Sequence, residues 1–453
     1  MLIRFQIRNL YSFEEETEFN LLTNDSEHLP HHKKHYNGVD FLRLSAIYGA
    51  NASGKSNFVR AIGLLQNIVR EGKIIDDVSD YKFKLSNESL TTPISLAIEL
   101  LSNNKMYYYT LTFDQKEILN ETLIETFKDF EDHIIFERTL KNDKKQEIPF
   151  IGGEAKDEKE RMFLELLSDK LLSKDELLLT FLAQKYPNEY TDINNVFEWF
   201  SDVLIVLNSN FKIRGIAHKF DKYDNIVKFA NTFIPTLSTG IQRIEVQKRE
   251  IQGDSDEMKR LMDNIKKDPE QLFTTIHPNT EEEATFVIED NDKVFVKRIF
   301  TEHLDKDGNK VLFPFGWESD GTKRLLEYVP LVNSVINTEA VFVVDEIERS
   351  IHPMMIKELI RKISSDTSAQ GQLIFTTHES CLLDQEILRT DEIWFAQKDK
   401  NGATHMYSLS DFNINNTANI EDGYLNGRYG GIPFLSNLKE LNWHTDESIS
   451  DQK

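Results

Sequence analysis

Hydrophobic and polar residues alternate from the start of the chain. Ile3, Phe5 and Ile7 fall on one side and Arg4, Gln6 and Arg8 on the other, which predicts a half-buried strand. Glu14 to Leu21 can return as its hairpin partner. A polar stretch, Thr23 to Asp40, follows and carries His28, His31, His32 and His35. Phe41 to Tyr48 is then almost wholly apolar, as a strand covered on both faces would be. Behind it Phe58, Ile62, Leu65 and Val69 recur at helical spacing within Asn57 to Glu71. From Tyr81 to Leu140 short alternating runs predict an antiparallel sheet. Lys156 to Ile276 reads as mostly helical, interrupted by a strand at Gly240 to Lys248, and Thr285 to Arg298 reads as a hairpin. After Gly316 come a helix, a buried strand (Ala340 to Val344), a second helix, another buried strand (Gln372 to Phe375) and a strand around Ile393 to Ala396.

These elements predict an α/β protein with a mixed sheet, an antiparallel β subdomain and a helical insertion. The expected division is 1–150 for the N-terminal half, 151–280 for the insertion, 281–435 for the C-terminal half and 436–453 for a polar, frayed tail. No heptad is sustained over many turns, so a long coiled-coil arm is not expected.

Composition narrows the function. The 453 residues carry 53 Lys plus Arg against 76 Asp plus Glu, a formal charge of −23. Such a chain repels a polyanion at long range, which disfavours non-specific coating of DNA while leaving room for a local basic groove. Cys381 is the one cysteine, which excludes a disulfide framework and a Cys-rich zinc site and fits a reducing compartment. No run of ~18 apolar residues occurs, so no membrane span is expected. Met1 to Leu10 is too short and too charged for a signal peptide. A cytoplasmic protein follows as the expectation.

Gly49 to Ser56 reads G-A-N-A-S-G-K-S, a full match to the phosphate-binding pattern G-x-x-x-x-G-K-[ST], placed between an apolar strand and a helix. Glycines let backbone N–H groups converge on phosphate oxygens, and the helix start adds partial positive charge. Lys55 would reach the β- and γ-phosphates of ATP, and the Ser56 hydroxyl would ligate Mg²⁺. Ala340 to Glu346 (A-V-F-V-V-D-E) delivers two acids at the end of a buried strand, where open α/β sheets bind ligands. Asp345 would hold Mg²⁺ through water, and Glu346 would orient and deprotonate the attacking water. Leu373 to His378 (L-I-F-T-T-H) is a further buried strand ending in His378, a candidate hydrogen-bond donor to the γ-phosphate.

In this order the pieces resemble the ATP-binding-cassette (ABC) ATPase head, in the branch of SMC, RecF, Rad50 and OLD proteins. The loop Gly49, Ala50, Asn51, Ala52, Ser53, Gly54, Lys55, Ser56, Asn57 has that branch's style, and D-E-I-E-R-S-I-H-P (Asp345 to Pro353) resembles its Walker B and D-loop run. With Glu318 to Leu326 (E-S-D-G-T-K-R-L-L) and Gly427 to Leu435 (G-R-Y-G-G-I-P-F-L), the set resembles the bacterial AAA15 ATPases, among them the ATPase subunits of PARIS-type and RloA/AbiL-type anti-phage systems. The resemblance implies ATP hydrolysis with Mg²⁺ and ATP contacts from Gly49, Asn51, Ser53, Gly54, Lys55, Ser56 and Asn57. It also implies a signature, Ser319 and Gly321, offered in trans by a second copy. Asp320 stands where that signature more usually has Gly. A homo-oligomer is implied, with a separate Toprim-like nuclease as effector. An acidic phage trigger protein or DNA is the implied stimulus. A RecF- or Rad50-like repair ATPase and a non-hydrolysing ATP-gated scaffold are the alternatives. The family's Q-loop glutamine has no evident counterpart: Gln66 falls in the first helix and Gln115 at a hairpin turn.

The four histidines at 28 to 35 lack acids or cysteines at metal-ligand spacing and read as a mobile polar loop. Lys212, Arg214, His218, Lys219 and Lys222 form one basic group, and Arg243, Lys248, Arg249, Lys259 and Arg260 a second. Each reads as a solvated face or as a surface for DNA or an acidic partner.

Overall fold

A computed structural model describes residues 1–127, 131–153, 157–237, 239–251, 262, 265, 272–277, 282–289, 293–412, 414 and 419–432. The centre is a six-stranded sheet in the order Leu204–Leu207, Val341–Val344, Gln372–Thr376, Leu44–Tyr48, Ile393–Lys398 and Thr404–Ser408. The first five run parallel and the sixth returns as an antiparallel hairpin. Every residue of Leu44–Tyr48, Val341–Val344 and Gln372–Thr376 is buried. Both faces of this sheet are covered, which is why these strands read as unbroken apolar runs.

The two faces feed separate cores. Ile47, Val341, Val343 and Ile374 pack with Phe58, Ile62 and Leu65 of the Lys55–Glu71 helix and with Phe5, Phe19 and Tyr109 beyond it. Ala46, Tyr48, Phe342, Val344 and Phe375 pack with Leu325, Val329 and Val332 of the Asp320–Asn337 helix and with Ile356 and Ile360 of Pro353–Ser364. The Lys55–Glu71 helix ends at Gly72, whose left-handed backbone (φ 75°) sends its N–H to Ile68 O at 2.9 Å.

Over that helix lies a seven-stranded antiparallel sheet in the order Gln146–Glu147, His133–Leu140, Glu117–Thr126, Lys105–Asp114, Ile94–Ser102, Leu2–Arg8 and Thr17–Asn20. The expected pairing of the first strand with its hairpin return is present, with Phe5 opposite Phe19. A buried ion pair fastens this sheet to the rest. Glu121 accepts from Leu178 N at 2.8 Å and Leu179 N at 3.0 Å, the start of the Leu178–Lys185 helix, and faces Arg138 at 3.4 Å. That helix in turn sends Thr180 Oγ1 to Val69 O at 2.6 Å on the Lys55–Glu71 helix.

The stretch expected as a helical insertion is less helical than its sequence suggests. It holds short helices such as Glu158–Leu166, Leu178–Lys185 and Asp224–Phe233, but Leu204–Leu207 is an edge strand of the central sheet itself. Arg243–Glu250 pairs with Lys293–Leu304 in a further antiparallel sheet that also contains Glu283–Glu289, Phe273–Ile276 and Lys310–Pro314. The helical run expected at 255–267 lies largely outside the described residues, as do Lys259, Arg260, the last three residues of Gly427 to Leu435 and the 436–453 tail.

The polar stretch 23–40 departs from the mobile loop expected. Lys33–Tyr36 and Val39–Leu42 form a hairpin. His28 Nε2 contacts Gln385 O at 2.5 Å, and His31 Nε2 contacts Ser364 O at 2.9 Å. His32 is buried with Nδ1 2.8 Å from Glu392 Oε1 and Nε2 3.1 Å from Ser364 O. The histidines pin the loop to the central domain, and among the described residues no group of three metal-ligating side chains occurs. No helix among the described residues is long and apolar enough to cross a membrane.

Candidate nucleotide-binding site

Gly49 to Gly54 links the buried strand Leu44–Tyr48 to the Lys55–Glu71 helix. Close packing fixes the two flanking glycines. A Cβ on Gly49 would strike Ala396 O and Ser53 Oγ, and one on Gly54 (φ 112°) would strike the Thr404 side chain. Thr404 Oγ1 donates to Ser53 O at 2.9 Å, so the antiparallel edge strand braces the loop from outside. Within the loop Ser53 Oγ is buried and has no partner among the described residues. Lys55 curls back, its Nζ donating to Gly49 O at 2.6 Å and Ala50 O at 3.0 Å. A covered ammonium resting on the carbonyls of its own loop is matched to an anion seated above them. Burial lowers the Lys55 pKa to about 8, against the pull of Glu348, Asp345 and Glu346.

The acids come from the next strand but one. Asp345 Oδ1 accepts from Ser56 Oγ at 3.1 Å and from Thr376 Oγ1 at 2.7 Å. The pairing of Val341–Val344 with Gln372–Thr376, and of Gln372–Thr376 with Leu44–Tyr48, sets this meeting. A hydroxyl and a carboxylate oxygen side by side are the hard donors that suit Mg²⁺. Glu346 has left-handed backbone (φ 51°), its N–H donates to Thr376 Oγ1 at 2.8 Å, and its carboxylate lies 3.9 Å from Arg349. His378 follows the adjacent strand, and its backbone N–H donates to Glu348 Oε1 at 2.8 Å. Burial first, and the Lys55 charge second, hold the His378 imidazole below its ordinary pKa.

The structure thus brings together Gly49, Ser53, Gly54, Lys55, Ser56, Asp345, Glu346 and His378. Asn51 is exposed on the loop. Asn57 turns away, its Nδ2 donating to Ser12 Oγ at 2.9 Å, so it braces the loop helix. Ser319 caps the Asp320–Asn337 helix, its Oγ accepting from Thr322 N at 3.2 Å. A Cβ on Gly321 would stand 2.6 Å from Ser350 O, so the helix start presses on the far end of the turn after Asp345. Neither Ser319 nor Gly321 shares a hydrogen bond with the Gly49 to Asn57 loop among the described residues.

Three residues escaped the sequence reading. Thr376 was hidden in a buried strand, and Glu348 in a charged run. Leu207, the end of the unforeseen strand Leu204–Leu207, accepts from Asp345 N at 2.8 Å and so holds the backbone of the first acid. The run L-I-V-L was the available signal. Gln66 is excluded from the site, since its Nε2 serves Phe200 O and Leu204 O at 2.9 and 2.6 Å.

The family described as "AAA domain, putative AbiEii toxin, Type IV TA system" matches residues 44–384, more than half of the chain. The chain belongs to this family. Its mainly parallel central sheet, with the glycine loop leading from a buried strand into a helix, makes it an α/β AAA domain. Solved structures similar to it include the SmcHead bound to the C-winged helix domain of ScpA, at 14% identity over 90% of this chain and 97% of that one, TM-score 0.39. The SMC head domain from Thermotoga maritima is similar at 12% identity over 90% and 98%, TM-score 0.38. No curated protein matches the chain.

Proposed function

We propose that this AAA-family chain binds ATP with Mg²⁺ and hydrolyses it to ADP and phosphate, as the sensor and scaffold subunit of an anti-phage defence system. One observation carries the nucleotide reading: Ser56 and Thr376 both bond the same oxygen of Asp345, directly beside the curled Lys55. Lys55 and the loop N–H groups bind the β- and γ-phosphates. Ser56 and Asp345 would hold Mg²⁺, which would supply neutralising positive charge at the phosphates. Glu346 takes the proton of the attacking water, and His378 donates to the γ-phosphate. Catalysis of this kind is positioning and charge neutralisation, so few reactive groups suffice.

Gly321 lies against Ser350, and among the described residues neither Ser319 nor Gly321 bonds its own loop, which supports a signature offered to the nucleotide of a second copy. The family's description names a toxin and a toxin–antitoxin system, which supports a defence role. A separate nuclease subunit is the effector in this reading. An acidic trigger protein would meet the exposed Arg243 and Arg249 and the Ile216–Lys222 helix carrying Lys219 and Lys222.

Phosphate release by the purified protein, with Glu346→Gln and Lys55→Ala beside it, tests the reading. Glu346→Gln keeps ATP binding, loses turnover and accumulates a nucleotide-bridged dimer. Lys55→Ala loses binding. Turnover at the parental rate in Glu346→Gln removes Glu346 as the base. Charge reversal at Arg243, Arg249, Lys219 and Lys222 with an undiminished phage response removes the trigger surface.

A further inference from the structure

Glu348 has no place in the reaction as described so far, yet it sits at the centre of the site. It lies on the turn that leaves Val341–Val344, and left-handed backbone at Glu346 (φ 51°) and Ser350 (φ 63°) folds that turn back toward the neighbouring strand. There Glu348 Oε1 accepts the backbone N–H of His378 at 2.8 Å, thirty residues along the chain. The turn is clamped on both sides. Ile347 N donates to Thr376 O at 3.1 Å, and Ile347 O accepts from Tyr328 Oη at 2.9 Å. Glu348 Oε2 is fully covered and has no partner among the described residues. A covered carboxylate oxygen without a donor destabilises a fold. Glu348 pulls on the Lys55 charge from a distance, and among the described residues the hydrogen bond it makes is to the main chain of His378. The bond goes to the main chain, so it fixes where the Thr377 to Glu379 segment stands before any nucleotide arrives.

We propose that Glu348 is a positioning residue that gives the site its preference for a nucleoside triphosphate over a diphosphate, by holding the backbone of His378 at the level of the terminal phosphate. This rests on the nucleotide reading above. The residue touches no reacting atom itself. Its effect falls on the one phosphate that distinguishes ATP from ADP.

The test is the ratio of ADP to ATP dissociation constants, measured by calorimetry with Mg²⁺ on the full chain. Glu348→Ala and Glu348→Asp each withdraw the acceptor, the second while keeping the charge. Each should lower the ratio about tenfold, the worth of one charge-assisted hydrogen bond, with ADP affinity within about twofold of the parent. Glu348→Gln keeps an oxygen acceptor without the charge and should lose less of the ratio than Glu348→Ala does. His378→Ala should lower it too, and adding Glu348→Ala to His378→Ala should lower it no further. An unchanged ratio in both Glu348→Ala and Glu348→Asp overturns the proposal. So does an equal loss of ATP and ADP affinity, or full additivity with His378→Ala. A parental protein that binds neither nucleotide overturns the site reading itself. A parent that binds ATP but releases no phosphate leaves the ratio test intact and removes only the hydrolysis.

Discussion

Replacing Thr376 with Val removes one hydroxyl and nothing else of size. That hydroxyl donates to Asp345 Oδ1 at 2.7 Å and accepts from Glu346 N at 2.8 Å. Thr376 and Asp345 are both buried, at 0% and 4% exposure, so water cannot stand in for the lost group. A hydrogen bond to a charged group contributes roughly 1.5–3 kcal/mol, and a buried N–H left unpaired costs roughly 1–3 kcal/mol. The turn from Asp345 to Glu348 should therefore open more easily by about 3 kcal/mol, roughly a hundredfold in its local opening constant. Hydrogen exchange followed by mass spectrometry on peptides covering the turn reads this locally, without requiring the whole chain to unfold as one unit. Thr376→Ser keeps the hydroxyl and serves as the control, and its exchange should stay close to the parent's. Phosphate release should fall in the Val variant alone, because Asp345 loses the donor that orients it toward Ser56. If Thr376→Val and Thr376→Ser exchange at the same rate over the turn, the inferred bracing of Asp345 and Glu346 is wrong.

Glu121→Ala leaves buried Arg138 without its carboxylate partner and uncaps the Leu178–Lys185 helix, so the unfolding midpoint should drop by an amount equivalent to about 3 kcal/mol, read by calorimetry. His32→Ala strips the buried Glu392 carboxylate of one donor, leaving Arg389 N at 2.8 Å, and limited proteolysis should then nick the 23–40 segment first. The pKa of about 8 for Lys55 has a signed consequence. The unfolded chain keeps this proton to roughly pH 10.4, so between about 8 and 10.4 the unfolded state binds more protons and Lys55's contribution to stability rises with pH. Bound phosphate restores the proton. Nucleotide binding should thus take up close to no proton through Lys55 at neutral pH and close to one above pH ~9, seen by calorimetry in two buffers of different ionisation enthalpy. Equal uptake at both pH values refutes the perturbed Lys55.

Much of the fold was legible because the central strands are covered on both faces. Ala340 to Val344 and Gln372 to Phe375 read as apolar runs and lie within a residue of the observed strands, whereas Phe41 to Tyr48 divides at Arg43 between the hairpin strand Val39–Leu42 and the central strand Leu44–Tyr48. The alternating strands between 94 and 140 were legible for the opposite reason, since one side of each meets the core and the other does not. Leu204–Leu207 was not legible. It is four residues long, follows a wide π-helical turn at Trp199–Val203 and lies at the sheet edge, so local periodicity never develops. The 23–40 segment misled in another way. Its polarity suggested solvent, but His28, His31 and His32 spend ring nitrogens on Gln385, Ser364 and Glu392, all more than 300 residues away.

The site shows the same division between what a motif encodes and what tertiary structure supplies. Loop and acid motifs are local, because convergent N–H groups and a strand-end carboxylate need only short stretches of chain. Their registration is not local. It depends on Leu44–Tyr48 and Val341–Val344 flanking Gln372–Thr376, which places the Thr376 hydroxyl between the Ser56 helix and the Glu346 turn. Thr376 and Glu348 carry no pattern because each acts on groups about thirty residues distant, through one hydrogen-bond acceptor or donor apiece. Tyr328 and Gly321 bring the Asp320–Asn337 helix onto that same turn, through Ile347 O and Ser350 O. A load on the helix start at Gly321 would therefore bear on the backbone that sets Glu346 and Glu348. A partner at the helix start and a phosphate at the loop would then be coupled through six residues of one rigid turn, with no long path between them.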